Sequence, residues 1–576
     1  LVNDVDLPLI KGMSAQTTAT FKAKVITLAD GRKGQSSTIK GSRTPLTLLF
    51  AITGIVLLIA CANIANLLLA RAANRAMEMA VRLSLGATRR QLIAQVLTES
   101  VLLATLGGLA GIVVAHWTLA GITAMLPPQV ASTMEFSLSI PVLIFTAVLS
   151  LGTGLVFGIF PALQSTRPDL VTELRNNSGK LSGGRGAARF RTGLVTAQIA
   201  LSMALLISAG LFIKSLRNIA RVDLGMNIDN IVTFSISPVR NGYDTTRALA
   251  LYGRVEDALA AIPGVGSVTS GMIPLLASNN WGEGVSVEGF KKDPDTDDGS
   301  RYNAIGPNYF KVLGVPLLSG REFTAGDNSG SLKVAIVNEA FAKKFNLGAT
   351  AVGKRMSVGN DSLNITIVGL AKDAKYSEVK AATPPVFFRP YRQAGRASNN
   401  TFYVRTAMRP DQVLRAIPSV MKNLDPNLPV DRLKLLPQQA EDNVYLDRMI
   451  STLSAAFAAL ATLLAAVGLY GVLAYSVAQR TREIGVRMAL GASGASVRTM
   501  VLKQVGWMTL VGGAVGIAGA IALGRAAKSL LFELQGFDPA VTIVAAIVLA
   551  AVGLAAGLAP ALRASRVDPM TALRWE

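Results

Sequence analysis

Apolar residues dominate long stretches of this chain. Runs at 46–70, 96–124, 138–164, 193–213, 450–477, 501–524 and 539–562 each reach the roughly 20 residues that a helix needs to cross the hydrocarbon core of a bilayer. They predict about seven membrane spans. Between the fourth and fifth runs the pattern changes. Short β-branched and aromatic segments (IVTFSIS from Ile231, KVAIVNEAF from Lys333, NITIVGL from Asn364, TFYVRT from Thr401) alternate there with helical stretches, TRALALYGRVEDALAAI and PDQVLRAIPSVMKNL. That alternation predicts an α+β or βαβ domain over 214–447. Residues 1–45 read as the last part of a similar domain, and a chain that opens on Leu1 with no signal peptide reads as a fragment or processed form.

The pattern also repeats. RAANRAMEMAVRLSLGATRRQL (Arg71–Leu92) is echoed by QRTREIGVRMALGASGASVRTM (Gln479–Met500), each placed where one apolar run gives way to the next. The copies agree at Glu78 and Glu483, Val81 and Val486, Arg82 and Arg487, Leu85 and Leu490, Gly86 and Gly491, and Ala87 and Ala492, with Thr88 answered by Ser493. PALQSTRPDLVTELR (Pro161–Arg175) is matched in turn by PALRASRVDPMTALR (Pro560–Arg574). Such self-similarity points to internal duplication. Gly107, Gly108 and Gly111 in one span, and Gly512, Gly513, Gly516 and Gly519 in its counterpart, are read as small residues that let helices approach closely.

Composition strengthens the membrane reading: 51% of residues are hydrophobic and 16% charged, outside the usual balance of a soluble domain. Charge placement orients the spans, because short cytoplasmic loops collect Lys and Arg. Arg71, Arg75, Arg82, Arg89 and Arg90 fill the first inter-span loop, whereas the loop at 126–137 holds Glu135 and no basic residue. Loop 165–191, the loop around Arg480, Arg482, Arg487 and Arg498, and the tail with Arg563, Arg566 and Arg574 are basic as well, and all are expected to face the cytoplasm. Much of the net charge of +21 is therefore membrane orientation, and no nucleic-acid partner is expected.

Catalytic chemistry is scarce. One histidine (His116) and one cysteine (Cys61), both within spans, cannot build a metal site or a nucleophile–base pair, so neither metal nor cofactor is expected. His116 is an ionisable residue in a span, but its counterpart is Ile521, which argues against a proton relay. GATAVGKR (Gly348–Arg355) has the spacing of a phosphate-binding loop, yet Arg355 stands where a Ser or Thr would hold magnesium. It reads as a turn joining two strands.

The repeated loop makes physical sense as a small helical device. Glu78 and Arg82, like Glu483 and Arg487, are four residues apart with the acid first, the order that supports a helix. Gly86 and Gly491 follow where a helix ends in a left-handed residue. Thr88 or Ser493 then N-caps the next helix, with Gln91 completing a capping box in the first copy only. Helix, glycine corner, helix is the expectation. Membrane insertion needs basic flanks but not this residue order, so a docking element is favoured over a plain charged hairpin.

These residues carry a family resemblance. REIGVRMALGAS, VGLYGVLAYSVAQR, CANIANLLLAR and PALRASRVDPMTALR resemble the FtsX-like permeases of ATP-binding cassette systems, in the MacB group, and within it the permeases that carry two copies in one polypeptide. GPNYFKVLGVPLLSGREFT from Gly306 and KVAIVNEAFAKKF from Lys333 resemble the MacB-type periplasmic core.

The resemblance implies an α-helical membrane protein with a large α+β extracytoplasmic domain and two tandem same-orientation units, incomplete at its N-terminus. It divides into the end of a first extracytoplasmic domain (1–45), a first three-helix membrane domain (46–175), a cytoplasmic linker (176–192), a helix opening the second unit (193–213), a second extracytoplasmic core (214–447) and a second three-helix domain (448–576).

It further implies a non-catalytic permease of the bacterial inner membrane. A separate cytoplasmic ATPase would dock on Glu78, Arg82, Leu85, Gly86, Ala87 and Thr88, and on Glu483, Arg487, Leu490, Gly491, Ala492 and Ser493, to drive export of a drug, peptide or lipid-linked substrate. Met77, Met79 and Ser84 make the first copy the less regular. The lipid bilayer is the other expected partner, and a periplasmic adaptor or outer-membrane component extends the set. The alternatives are force transmission to a periplasmic enzyme without transport, and an ion-driven transporter, against which the near absence of acidic residues in the spans argues.

Overall fold

A computed structural model describes residues 14–25, 37–74, 81–82, 85–132, 137–165, 184–293, 295–359 and 362–566. The chain divides into two compact units, Leu1–Gln35 with Arg221–Val444, and Ser36–Ala220 with Tyr445–Glu576.

The second unit is helical: α1 (Ser37–Asn74), α2 (Arg89–Met125), α3 (Ile140–Ser165), α4 (Gly184–Ala220), α5 (Tyr445–Gln479), α6 (Thr481–Ala489), α7 (Gly494–Ala526) and α8 (Pro539–Ala564). Among the described residues six helices are long and apolar enough to cross a membrane, and α3 adds a shorter apolar stretch, Ile140–Val156. Several helices outrun the apolar runs that betray them. α4 begins at Gly184, inside the segment read as a linker, and continues to Ala220. α1 likewise begins at Ser37, within the segment read as the end of a first extracytoplasmic domain.

Local chemistry sets the ends. Asp538 N-caps α8, accepting from Val541 N at 3.0 Å, with Pro539 at the first helical position. The Asp538 carboxylate also pairs with Lys214 of α4. Glycine decides how α7 meets α4. A Cβ at Gly512 would lie 2.8 Å from Thr196 O, and one at Gly516 would lie 2.5 Å from Ala200 O, so these two seat α7 directly on α4. Gly107, Gly111 and Gly513 meet nothing within 4 Å and have no such role here. His116 is exposed on α2.

The first unit is built on one eleven-stranded sheet in the order β11-β1-β10-β2-β4-β3-β7-β8-β6-β9, with β5 paired to β8. The strands are β1 (Ile231–Ile236), β2 (Val265–Gly271), β3 (Trp281–Val287), β4 (Gly299–Ile305), β5 (Leu317–Gly320), β6 (Val334–Asn338), β7 (Arg355–Val358), β8 (Ile365–Ala371), β9 (Val386–Pro390), β10 (Asn400–Thr406) and β11 (Asp431–Leu435). β9 returns to pair in parallel with β4, closing β4, β3, β7, β8, β6 and β9 into a ring that leaves no free edge among them. Its inward-facing positions include Val285, Val287, Ala304, Ala335, Val337, Met356, Ile367 and Phe387, all in the buried core.

Two amphipathic helices bury one stripe each: Thr245–Ala260 through Ala248, Leu251, Tyr252, Val255 and Leu259, and Pro410–Leu424 through Val413, Ile417 and Met421. KVAIVNEAF is not one strand. β6 stops at Asn338, whose side chain accepts from Phe341 N at 3.0 Å and starts the helix Glu339–Lys344. GATAVGKR leads from that helix into β7 rather than joining two strands, and Lys354 faces Glu288 at 3.5 Å.

Candidate functional site

The helix, glycine corner and helix expected at the repeated loops are described throughout in the second copy. α5 stops at Gln479 and a nine-residue helix, α6, follows. Glu483 and Arg487 pair across one turn at 2.5 Å, with both side chains about half exposed. Such a pair contributes about 0.3–0.5 kcal/mol. Burial does more to fix α6, because Ile484 is 1% exposed and belongs to the core of the helical unit. α6 then ends in a Schellman motif. Gly491 sits at φ +93°, Gly491 N donates to Met488 O at 3.0 Å, and Ala492 N donates to Arg487 O at 2.9 Å. Ser493 accepts from Ser496 N at 3.3 Å and starts α7.

The described part of the first copy shows the same corner. Gly86 has φ +99°, Ala87 N donates to Arg82 O at 3.0 Å and Leu85 N to Val81 O at 3.0 Å. Thr88 and Gln91 form the capping box that opens α2, with Thr88 N donating to Gln91 Oε1 at 2.8 Å. Glu78 lies outside the described residues, as do Met77, Met79 and Ser84.

Two features of the corners escape a reading of sequence. Arg82 reaches across to donate to Gln95 Oε1 at 2.7 Å, and Arg487 reaches the equivalent Met500, its Nη1 3.3 Å from Sδ. The equal spacing of these partners in the two copies was the only available signal. The second feature is exposure. Leu85 is 82% and Leu490 83% exposed, and Val81 and Val486 beside them are 50% and 40% exposed. Each corner thus holds an apolar tip in the open, rimmed by Arg82 or Arg487. Apolar anchors with a charged rim are the composition of a protein-docking surface. Among the described residues no group of three or more His, Cys, Asp or Glu could hold a metal ion.

A duplicated multi-helix unit with span-length apolar helices and an intervening barrel-containing domain together mark a multi-pass membrane protein. The FtsX-like permease C-terminal model matches twice, over residues 50–169 and 455–569, and the MacB-like periplasmic core domain model matches residues 192–420. The chain belongs to the MacB/FtsX-like permeases of ABC systems and is a multi-pass protein of the inner membrane.

It is 28% identical over 291 residues to a probable export ATP-binding/permease protein of Pseudomonas fluorescens (48% of this chain, 43% of that one). It is 28% identical over 364 residues to the macrolide export ATP-binding/permease protein MacB of an Azoarcus species (59% of this chain, 50% of that one). The crystal structure of the periplasmic region of MacB from Actinobacillus actinomycetemcomitans aligns at a TM-score of 0.26 and 16% identity, covering 38% of this chain and 92% of that one. The chain spans about half the length of the curated relatives it matches.

Proposed function

We propose that this chain is the permease of an ABC exporter, in which a cytoplasmic ATPase subunit docks on the corners at Glu78–Thr88 and Glu483–Ser493 and moves the membrane helices and the α+β domain. The observation that carries the reading is the matched exposure of Leu85 and Leu490 on equivalent corners. A hairpin needed only for membrane insertion has no use for leucine in the open, whereas a partner surface gains by covering it. The buried Ile484 ties α6 to the helical unit, so force applied at Leu490 passes to α5 and α7.

The substrate class is a drug, peptide or lipid-linked molecule, in line with the macrolide export for which the Azoarcus relative is named. The test is co-purification of the cognate ATPase with the chain and with Leu85→Ser/Leu490→Ser, together with ATPase rate in proteoliposomes and export of candidate macrolides. Docking through the corners predicts that the double variant inserts normally but loses the ATPase and the export. An ATPase retained at wild-type yield would remove the corners from the interface.

A further inference from the structure

Continuing the register that pairs Glu78 with Glu483 back into the membrane pairs Ile59 with Leu464, Asn63 with Gly468 and Asn66 with Gly471. These counterparts meet. A Cβ at Gly468 of α5 would lie 2.3 Å from Asn63 Oδ1 of α1 and 2.5 Å from Gln198 Oε1 of α4. Contact between a residue and its own counterpart is what two like halves show at a twofold axis.

The hydrogen bonds around this point are close to symmetric. Asn63 Nδ2 donates to Leu464 O at 2.7 Å. Gln198 Nε2 donates to Ile59 O at 3.3 Å and to Asn63 Oδ1 at 3.3 Å. Ile59 and Leu464 are counterparts, so each of two equivalent carbonyls receives one carboxamide. Copy two cannot supply its own, because glycine stands where copy one has Asn63. Gln198 reaches past Gly468 and does so instead. The group is sealed from lipid, with Asn63 5%, Gln198 1% and Ile59 0% exposed. Asn66 and Gly471 repeat the asymmetry, and both line one cavity of about 20 Å³ together with Asn63 and Gly468.

We propose that Asn63, Gly468 and Gln198 form a pairing key that joins the two copies within one chain and sets the register in which they meet. Polar groups within apolar helix interfaces set register and partner in this way, because leaving them unmet in a low-dielectric interior is costly. One consequence, which rests on the docking reading above, is that a single chain presents both ATPase corners. The pairing itself does not depend on that reading.

The experiment uses the full chain in lipid nanodiscs and needs no ATPase. Gly468→Asn crowds Gln198 and Asn63, and Gln198→Ala strips Ile59 O, so each single variant lowers the melting temperature, by roughly 2–4 °C or more. In Gly468→Asn/Gln198→Ala the loss of Gln198 frees Ile59 O and Asn63 Oδ1, the introduced carboxamide takes the place of Gln198 once Asn63 shifts from the added Cβ, and the double variant melts above Gly468→Asn alone. A double variant that melts at or below Gly468→Asn overturns the key. In a second arm two differently tagged chains are co-expressed. Single-chain particles by native mass spectrometry support the proposal, and co-purification of both tags that is abolished by Asn63→Ala overturns it.

Discussion

Gly491→Val isolates the corner as a mechanical element. Gly491 sits at φ +93° and a Cβ built there meets nothing within 4 Å, so the effect falls on the backbone and not on packing. Holding valine in the left-handed region costs about 1–2 kcal/mol, and more for a β-branched side chain. The chain can escape only by giving up the bonds from Gly491 N to Met488 O and Ala492 N to Arg487 O, each with a net value of about 1 kcal/mol. Either route amounts to about 2 kcal/mol, and the second re-aims Ser493 and the start of α7. Ile484 stays buried in the core, so insertion and gross folding should survive.

The assay is the ATPase rate of the cognate subunit in a reconstituted complex, with pull-down of that subunit. Gly491→Val should abolish stimulation, while Gly491→Asn, which tolerates a left-handed backbone, should keep most of it. Glu483→Lys breaks a half-exposed pair that contributes under about 1 kcal/mol to folding, so a large loss of binding there would mean that Glu483 meets the partner. If Gly491→Val and Glu483→Lys both leave binding and stimulated ATPase at wild-type levels, the loop is a charged hairpin and the reasoning fails.

Gly86→Val and Glu78→Lys should act in the same direction but more weakly, given the less regular first copy, in the same assay. In a Cys61→Ser background, Ser329→Cys on the α+β domain should react with an impermeant maleimide in intact cells and Ser493→Cys should not; labelling of Ser493→Cys from outside would invert the topology. Lys354→Ala should leave partner-dependent ATPase intact, since Lys354 is paired with Glu288. Burial pushes Glu256 up to about 7, partly offset by hydrogen bonds from Ser270 and Tyr391. The folded state therefore holds that proton more tightly than the unfolded one. The stabilisation is full below the ordinary carboxylate value of 4.5 and is lost as pH rises through about 7. Glu256→Gln should flatten this fall, by up to about 3 kcal/mol at 1.36 kcal/mol per unit, in melts from pH 5 to 8.

What sequence reveals here depends on how local the cause is. The corners were legible because capping is settled within a few residues: Thr88 with Gln91, Glu483 with Arg487, glycine at the left-handed position. The spans were legible because lipid imposes one composition over their whole length, although the polar extension of α4 back to Gly184 carries no such signal. In the α+β unit, β1, β8 and β10 declare themselves as β-branched and aromatic runs. β2 (VGSVTSG) and β4 (GSRYNAI) do not. Their pairing is fixed by neighbours distant in the chain, as where Tyr302 of β4 lies against Phe387 of β9, and strand preference of this kind follows packing more than residue type. The meeting of Asn63, Gln198 and Gly468 was hidden for the same reason, since three separate helices must pack before their equivalence has any meaning.

Photo-crosslinking from the corner tips tests the central claim most directly. A photoreactive residue is placed at Leu490 or Leu85, with Leu332 of the α+β domain, itself 84% exposed, as the control, and the complex with its ATPase is irradiated in native membranes. Docking on the corners predicts ATPase adducts from positions 490 and 85 and none from 332. ATPase adducts absent from both corner positions in a complex that still hydrolyses ATP in a permease-dependent manner would contradict the account.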